Sequence, residues 1–257
     1  MGRVSVKEVF LMHRFYACNE DNKHTAACLS AEDAHHALHV LRLKKDDEIE
    51  IILNGCRYLA RLDPDSNTDC AVPVKLISEL PSTETGLKIT LYQGLPKADK
   101  MDWIVQKATE LGVIRIVPVI MNRCISRPDA KDMLRKTERW QKIAREAGKQ
   151  SGRCLIPEVT VPVRLKDILP HLCAHGGCVV PWEEAHSLGP AAYSAGNPSL
   201  SSLGIIIGPE GGIEEEEIAL LKEHACVPVT LGPRILRTET AGLAACAAFL
   251  ALYGEME

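Results

Sequence analysis

Two stretches near the C-terminus combine residue types and spacings that could do chemistry: IIIGPEGG at 205–212 and VTLGPRILRTETAGLAA at 229–245. Each runs from branched apolar residues into a Gly-Pro pair, then carries groups a plain strand-to-helix turn does not need. In the first, Gly208, Gly211 and Gly212 permit close approach of backbone to a ligand, with Pro209 and Glu210 between them. In the second, Arg234, Arg237, Thr238, Glu239 and Thr240 crowd the junction before an alanine-rich segment.

Neither G-x-G-x-x-G nor G-x-x-x-x-G-K-[ST] occurs, which removes the usual dinucleotide and nucleoside triphosphate cradles. Pro209 has no amide to donate. The four glutamates at 214–217 would repel a phosphate at the N-terminus of the next helix, although they favour its dipole by ~0.3–1 kcal/mol each. The junctions therefore suit a ligand without phosphates, even a cationic one. S-adenosylmethionine, a sulfonium bearing adenosine and an amino acid, has that chemistry.

Holding two such junctions together calls for an α/β framework. LKITLYQG, VIRIVPVIM, CVVPW, GIIIG and VPVTLG read as buried strands. DKMDWIVQKATELG, a long stretch over about 130–149, EEEEIALLKEHA and the segment from Thr238 read as helices. This alternation predicts a mostly parallel sheet, with ligands at the carboxyl ends of its strands. The first 80 residues instead look β-rich around one helix. Ser30 and Asp33 form a capping pattern, so that helix starts at Ala31, carries His35, His36 and His39, and ends around LRLKKDD. Asn-Gly between EIEIIL and CRYLARL predicts a hairpin. PSTETG at 81–86 has linker composition and divides the chain into 1–80 and 81–257.

The 257 residues are 46% hydrophobic and 25% charged, as in ordinary globular proteins. No apolar stretch reaches the ~20 residues of a membrane span, and the N-terminus lacks the pattern of a leader, so a cytoplasmic protein without a membrane partner is expected. The ten cysteines are scattered, with no CxxC pair, and the apolar surroundings of Cys226 and Cys246 read as reduced, buried thiols. His171, Cys173, His175 and Cys178 fit no zinc spacing and read as helix-end and loop residues, so no metal is expected. Net charge is −4, yet residues 97–153 hold fourteen Lys/Arg against seven Asp/Glu, and residues 154–257 hold five against thirteen. Such segregation points to a polyanion-binding face.

The two Gly-Pro motifs closely resemble the 16S ribosomal RNA uridine-N3 methyltransferase family of the SPOUT class. The resemblance extends through HRF at 13–15, HHALHVLRLKKDDEIEI, GLPKADKMDWIVQKATELGV, EAGKQSGR and VPWEEA, in order along nearly the whole chain. It implies a PUA-like RNA-binding β-barrel at the N-terminus, a C-terminal SPOUT-type α/β domain with a deep trefoil knot, and a homodimer. It also implies that S-adenosylmethionine sits among three loops containing Val180, Pro181 and Glu183; Gly208, Pro209, Glu210, Gly211 and Gly212; and Leu231, Gly232, Ile235, Leu236 and Thr240. Leu231, Gly232, Ile235 and Leu236 would wall the adenine. Sheet-edge packing would use the same residues.

On the helix from Asp99, i, i+3, i+4 spacing places Met101, Ile104, Val105, Ala108 and Leu111 on one face, leaving Trp103, Gln106, Lys107 and Glu110 on the other. The next helix aligns Arg135, Arg139, Lys142 and Lys149, flanked by Arg145 and Arg153. With Lys97, Lys100, Lys107, Arg123 and Arg127 nearby, these form a predicted phosphate-contact surface. Arg14, Arg42 and Lys44 extend it to the barrel, whereas Arg57 and Arg61 read as strand-edge charges. The final apolar helix is expected to be buried all round, inside the knot or at a dimer interface.

The resemblance implies methylation of uridine N3 in 16S ribosomal RNA of the small subunit. That nitrogen must lose a proton before it attacks, and the resulting charge needs stabilising. Arg237, Glu239 and Glu110 are the catalytic candidates, with Glu146 a further carboxylate. Arg237 and Glu239 read equally as substrate contacts or as an ion pair bracing the fold. A knotted methyltransferase acting on another RNA, and a non-catalytic RNA-binding assembly factor, are the alternative functions.

Overall fold

The computed structural model describes residues 12–19, 27–63 and 72–256. The segment on which a missing leader was read lies largely outside those residues. The described residues up to Glu84, with Gly152–Leu155, form one compact unit; Thr85–Ser151 and the residues from Ile156 onward form the other.

The first unit is a closed barrel of β1 (Arg14–Asn19), β2 (Ala27–Leu29), β3 (Glu48–Leu53), β4 (Cys56–Leu62) and β5 (Val72–Leu80), in the order β1-β2-β5-β4-β3. Parallel pairing of β1 with β3 closes it, and Phe15, Leu29, Ile49, Ile51, Leu62 and Val74 fill it. Asn54 and Gly55, with φ of 52° and 79°, make the tight β3–β4 turn that Asn-Gly predicted. Ser30 Oγ accepts from the Asp33 amide at 3.1 Å to start α1 (Ala31–His35). The helix continues only as a π-helical turn over His36–Val40. It does not run on to LRLKKDD: Arg42 turns the chain at φ 55°, and the Lys44 amide donates to the Asp47 carboxylate at 2.7 Å, making KKDD a turn.

Two arginines assigned otherwise from sequence prove to be braces in this unit. Glu50 is fully buried and accepts from both Arg14 (2.5 Å) and Arg57 (2.8 Å). Arg57 also donates to the Pro81 carbonyl at 2.8 Å, so it is an interior residue and not a strand-edge charge. Burial alone would raise the Glu50 pKa, but the two guanidiniums outweigh it and hold the carboxylate ionised. Arg61 does edge its strand, pairing with Glu48 directly opposite at 2.8 Å. The 81–86 stretch is more than a linker: Glu84 accepts from Arg153 at 2.7–3.0 Å and from the amides of Cys154 and Leu155 at 2.6 and 3.1 Å.

The second unit is a seven-stranded parallel sheet. It consists of β6 (Lys88–Gly94), β7 (Arg115–Ile120), β8 (Glu158–Val159), β9 (Val163–Arg164), β10 (Gly177–Pro181), β11 (Ser202–Ile207) and β12 (Val227–Val229). Their order is β12-β10-β11-β6-β7-β8, with β9 also on β7. Helices α2 (Lys100–Glu110), α3 (Ala130–Ser151), α4 (Leu165–Leu172), α5 (Pro190–Gly196), α6 (Glu215–Glu223) and α7 (Thr238–Leu252) connect and cover it. Met101, Ile104, Val105 and Ala108 of α2 are buried as their spacing predicted. α4 ends at Leu172, where His171 and Cys173 read as helix-end residues; α5, β8 and β9 were not expected, each being too short for periodicity to show.

Within the single chain α7 buries one face. Gly242, Ala245, Cys246, Phe249 and Leu250 face the core, whereas Leu252 is 45% exposed. Cys226 is not a reduced thiol: it is disulfide-bonded to Cys178 on β10, the strand beside β12. Cys246 is free and fully buried, and burial pushes its thiol pKa up to about 12. His175 meets the Tyr92 hydroxyl at 2.8 Å, and no group of His, Cys, Asp or Glu among the described residues could hold a metal. No described helix is long and apolar enough to cross a membrane.

Candidate functional site

Because the sheet is parallel, the loops after β6, β7, β10, β11 and β12 gather at its carboxyl edge. Two adjoining cavities of about 460 and 430 Å³ open there, within the usual size range of small-molecule sites. Pro181, Glu183, Ile235, Leu236 and Ala241 line both. Leu231 and Gly232 line the first, and residues 208–213 the second. The three loops expected to hold a methyl donor are thus brought together. Two of the named residues stand apart: Val180 is a fully buried strand residue, and Thr240 lines neither cavity.

The GPEGG loop is fixed from several sides. Gly94, at the end of β6, faces it so closely that a Cβ there would lie 2.5 Å from the Pro209 nitrogen. The Thr238 hydroxyl donates to the Gly208 carbonyl at 2.6 Å and accepts from Gln93 Nε2 at 2.8 Å. Gln93 is fully buried, and Nε2 also donates to the Gly94 carbonyl at 3.1 Å, which fixes the amide orientation. Its Oε1 finds no partner. Arg123 donates to the Gly211 carbonyl at 3.1 Å.

The acidic run is also explained. Glu214 and Glu217 form a capping box at the start of α6. They also accept from Asn122, through its side-chain amide at 2.8 Å and its backbone amide at 2.9 Å. These carboxylates tie the β7 loop to the β11 loop, and only Glu217 is buried.

Lys100, assigned from sequence to the RNA face, instead joins the two Gly-Pro junctions. Its Nζ lies 3.0 Å from Glu210 Oε1 and 3.2 Å from Glu239 Oε2. The second approach lacks hydrogen-bond geometry, leaving Glu239 Oε2 buried without a hydrogen-bond donor. Burial raises the Glu210 pKa, but Lys100 and the Lys97 amide, at 3.1 Å, outweigh that and bring it below the usual carboxylate range. Spacing could not pair Lys100 with groups more than a hundred residues away.

The ion pair considered for Arg237 and Glu239 does not exist, since Glu239 faces Lys100. Arg237 precedes α7, is exposed, lines the second cavity and has no side-chain cap bond. Glu110 sits at the other end of α2, about 15 Å along the axis from Lys100 by helix rise, and is held by Lys107 at 2.7 Å. Its chain does not bring it to the cavities. Lys97, Arg42, Lys44, Arg135 and Lys142 are exposed. Arg135 pairs with Asp132, and Arg139 with Asp102. Arg153 is 3% exposed on Glu84, so it is a structural residue and not a phosphate contact. Trp182, His186, Thr230 and Ala241 also line the cavities. Trp182 and Ala241 lie within the VPWEEA and RTETAGLAA stretches without being singled out there, and His186 and Thr230 lie just outside the residues named for the three loops.

Residues 83–250 match the family described as RNA methyltransferase domain, and residues 29–66 match RNA methyltransferase PUA domain. The chain is 38% identical over 225 residues to the ribosomal RNA small subunit methyltransferase E of Bacillus subtilis, covering 86% of this chain and 88% of that protein. It is 34% identical to the protein of the same name from Aquifex aeolicus, covering 90% and 95%. The crystal structure of a ribosomal RNA small subunit methyltransferase E from Neisseria gonorrhoeae bound to S-adenosyl methionine superposes with a TM-score of 0.76 at 33% identity, covering 94% and 98%. With both domain types matched and these relatives aligned over most of their length, this chain belongs to the ribosomal RNA small subunit methyltransferase E family of RNA methyltransferases.

Proposed function

We propose that this protein transfers a methyl group from S-adenosylmethionine to N3 of a uridine in 16S ribosomal RNA. The observation that carries the reading is the joining of two cavities across Pro181, Glu183, Ile235, Leu236 and Ala241 at the strand ends. The residues fit the donor. Leu231, Leu236 and the 88%-exposed Ile235 offer apolar surface for an adenine. Glu183 and Glu210 suit a cation, and Pro209, which lines the same cavity, has no amide to offer a phosphate. When bound, S-adenosylmethionine supplies an electrophilic methyl on sulfur and a neutral leaving group.

The chain's own groups do the rest. Lys100 holds Glu210 and Glu239 in register across the two loops. Arg237 directs unpaired guanidinium donors at the charge that develops on the uracil carbonyls as N3 loses its proton. Glu239, held by Lys100 next to the Arg237 and Thr238 that line the second cavity, is our candidate to accept that proton, in contrast to Glu110. The target uridine must be unpaired, since N3 is engaged in a Watson–Crick pair. The barrel and the exposed cations of α3 bind the surrounding RNA.

We read the placement of β12 beside β10, followed by α7 against β11 and β6, as the trefoil knot of this class. The half-exposed alanines of α7 support a homodimer in a cytoplasmic enzyme. Incubation with radiolabelled S-adenosylmethionine and small ribosomal subunits, then nucleoside mass spectrometry, tests the activity. Label in 3-methyluridine is expected; label in another nucleoside, or none, overturns the reading.

A further inference from the structure

A separate cleft of about 1080 Å³ lies between α2 and α3. Trp103 stands in it with 53% of its surface exposed. The other indoles are better covered: Trp140 is buried and donates Nε1–H to Asp102 at 3.1 Å, and Trp182 is partly buried. An exposed indole forgoes the burial of a large apolar ring, and tryptophan is enriched at binding surfaces. The ring is also held in place. Lys107 Nζ lies 5.1 Å from its centroid, and Glu110 anchors that ammonium at 2.7 and 2.9 Å.

The cleft's charges are largely cancelled in pairs. Arg139 faces Asp99 and Asp102, and Lys107 faces Glu110. Lys142, Glu146 and the amides of Gln106 and Gln150, which both donate and accept, complete the polar lining beside the indole. Around this slot of mixed and mostly paired charge, α3 carries seven Lys/Arg against three Asp/Glu. A flat apolar platform, amide edges and a cationic rim are complementary to a nucleobase whose phosphates lie outside the slot. The slot's apolar lining, Trp103, Ile143 and Ala147, is far smaller than the area a stable dimer interface buries, so a second copy of the chain is the poorer fit.

We propose that this cleft is a nucleobase subsite, in which an unpaired base of the bound RNA stacks on Trp103. Trp103 follows Lys100 by one helical turn, about 4.5 Å of rise, so the stacked base is a neighbour of the methylated one. The proposal rests on the RNA-methyltransferase reading and extends it from phosphate contacts to a base.

The test uses the full-length protein, fluorescein-labelled single-stranded decauridylate followed by anisotropy, and S-adenosylhomocysteine followed by calorimetry. Trp103→Ala should weaken RNA binding by about fivefold or more, as expected for loss of one stacked base. Trp103→Phe should stay close to the natural protein, and neither change should alter the S-adenosylhomocysteine affinity. Unchanged RNA binding in Trp103→Ala overturns the subsite. So does a Trp103→Ala protein that loses self-association in sedimentation velocity, which would assign the cleft to a second copy. If RNA binding depends on Trp103 but no S-adenosylhomocysteine binds, the subsite stands and the methyl-transfer reading fails.

Discussion

The two Gly-Pro junctions end strands of the same sheet yet are held very differently. The loop after β11 is fixed by the Thr238 hydroxyl, Arg123, the Lys97 amide and the close approach of Gly94. The loop after β12 leaves Pro233, Arg234, Ile235 and Arg237 exposed. Its Gly232 amide is held only locally, by Thr230 Oγ1 at 3.2 Å. One loop is therefore set by the fold, while the other presents exposed apolar surface and an exposed guanidinium, which the proposed function assigns to the ligand. Substitutions that touch the fixed loop should cost stability; those in the open loop should cost binding or turnover alone.

The largest separation of those effects is expected at Arg237. Arg237→Ala should lower methyl transfer by about a hundredfold, the scale of one lost transition-state donor, while chemical denaturation shifts by less than ~0.5 kcal/mol. Normal turnover would remove Arg237 from the chemistry. Against the fixed loop, Thr238→Val leaves the Gly208 carbonyl and Gln93 Nε2 without their shared hydroxyl. Urea denaturation should show a loss of about 1–3 kcal/mol, the cost of unsatisfied buried polar groups. A neutral result would mean that the relay does not hold the loop.

Ile235→Ser should weaken S-adenosylhomocysteine binding by about tenfold, as for removal of part of a buried aliphatic side chain, with no change in thermal stability. A stability loss instead would place Ile235 in the core. The smallest effect concerns acid. The Glu210 carboxyl is held below the usual range, so its contribution is complete at neutral pH and lost as pH falls through its folded-state pKa. Lys100→Met should lower the neutral plateau slightly, because the pair is partly exposed, and so bring acid unfolding on at a higher pH, the difference in stability vanishing once Glu210 is protonated. Superimposable acid limbs would show that Lys100 does not hold Glu210.

Local signals made much of this structure legible. The Asn-Gly turn at 54–55, the Ser30 cap and the buried face of α2 follow from short-range rules, and each is present. Missing phosphate motifs and paired Gly-Pro junctions located the cavities. What the sequence concealed is pairing at a distance. Arg153 looked like one more cation in a basic helix, yet it is buried on Glu84, 69 positions away. Lys100 looked like a phosphate contact, yet it joins Glu210 and Glu239. Cys178 and Cys226, 48 positions apart, are bonded because their strands are neighbours. Periodicity reports which face a residue occupies, and only the fold reports what that face meets.

Calorimetric titration of S-adenosylmethionine into the natural protein and into Ala241→Phe tests the central claim most directly, because Ala241 lines both cavities and a phenyl ring would fill their junction. The donor-cleft assignment predicts saturable binding to the natural protein and none to a folded Ala241→Phe. No binding to the natural protein, or equal binding to both, would contradict it.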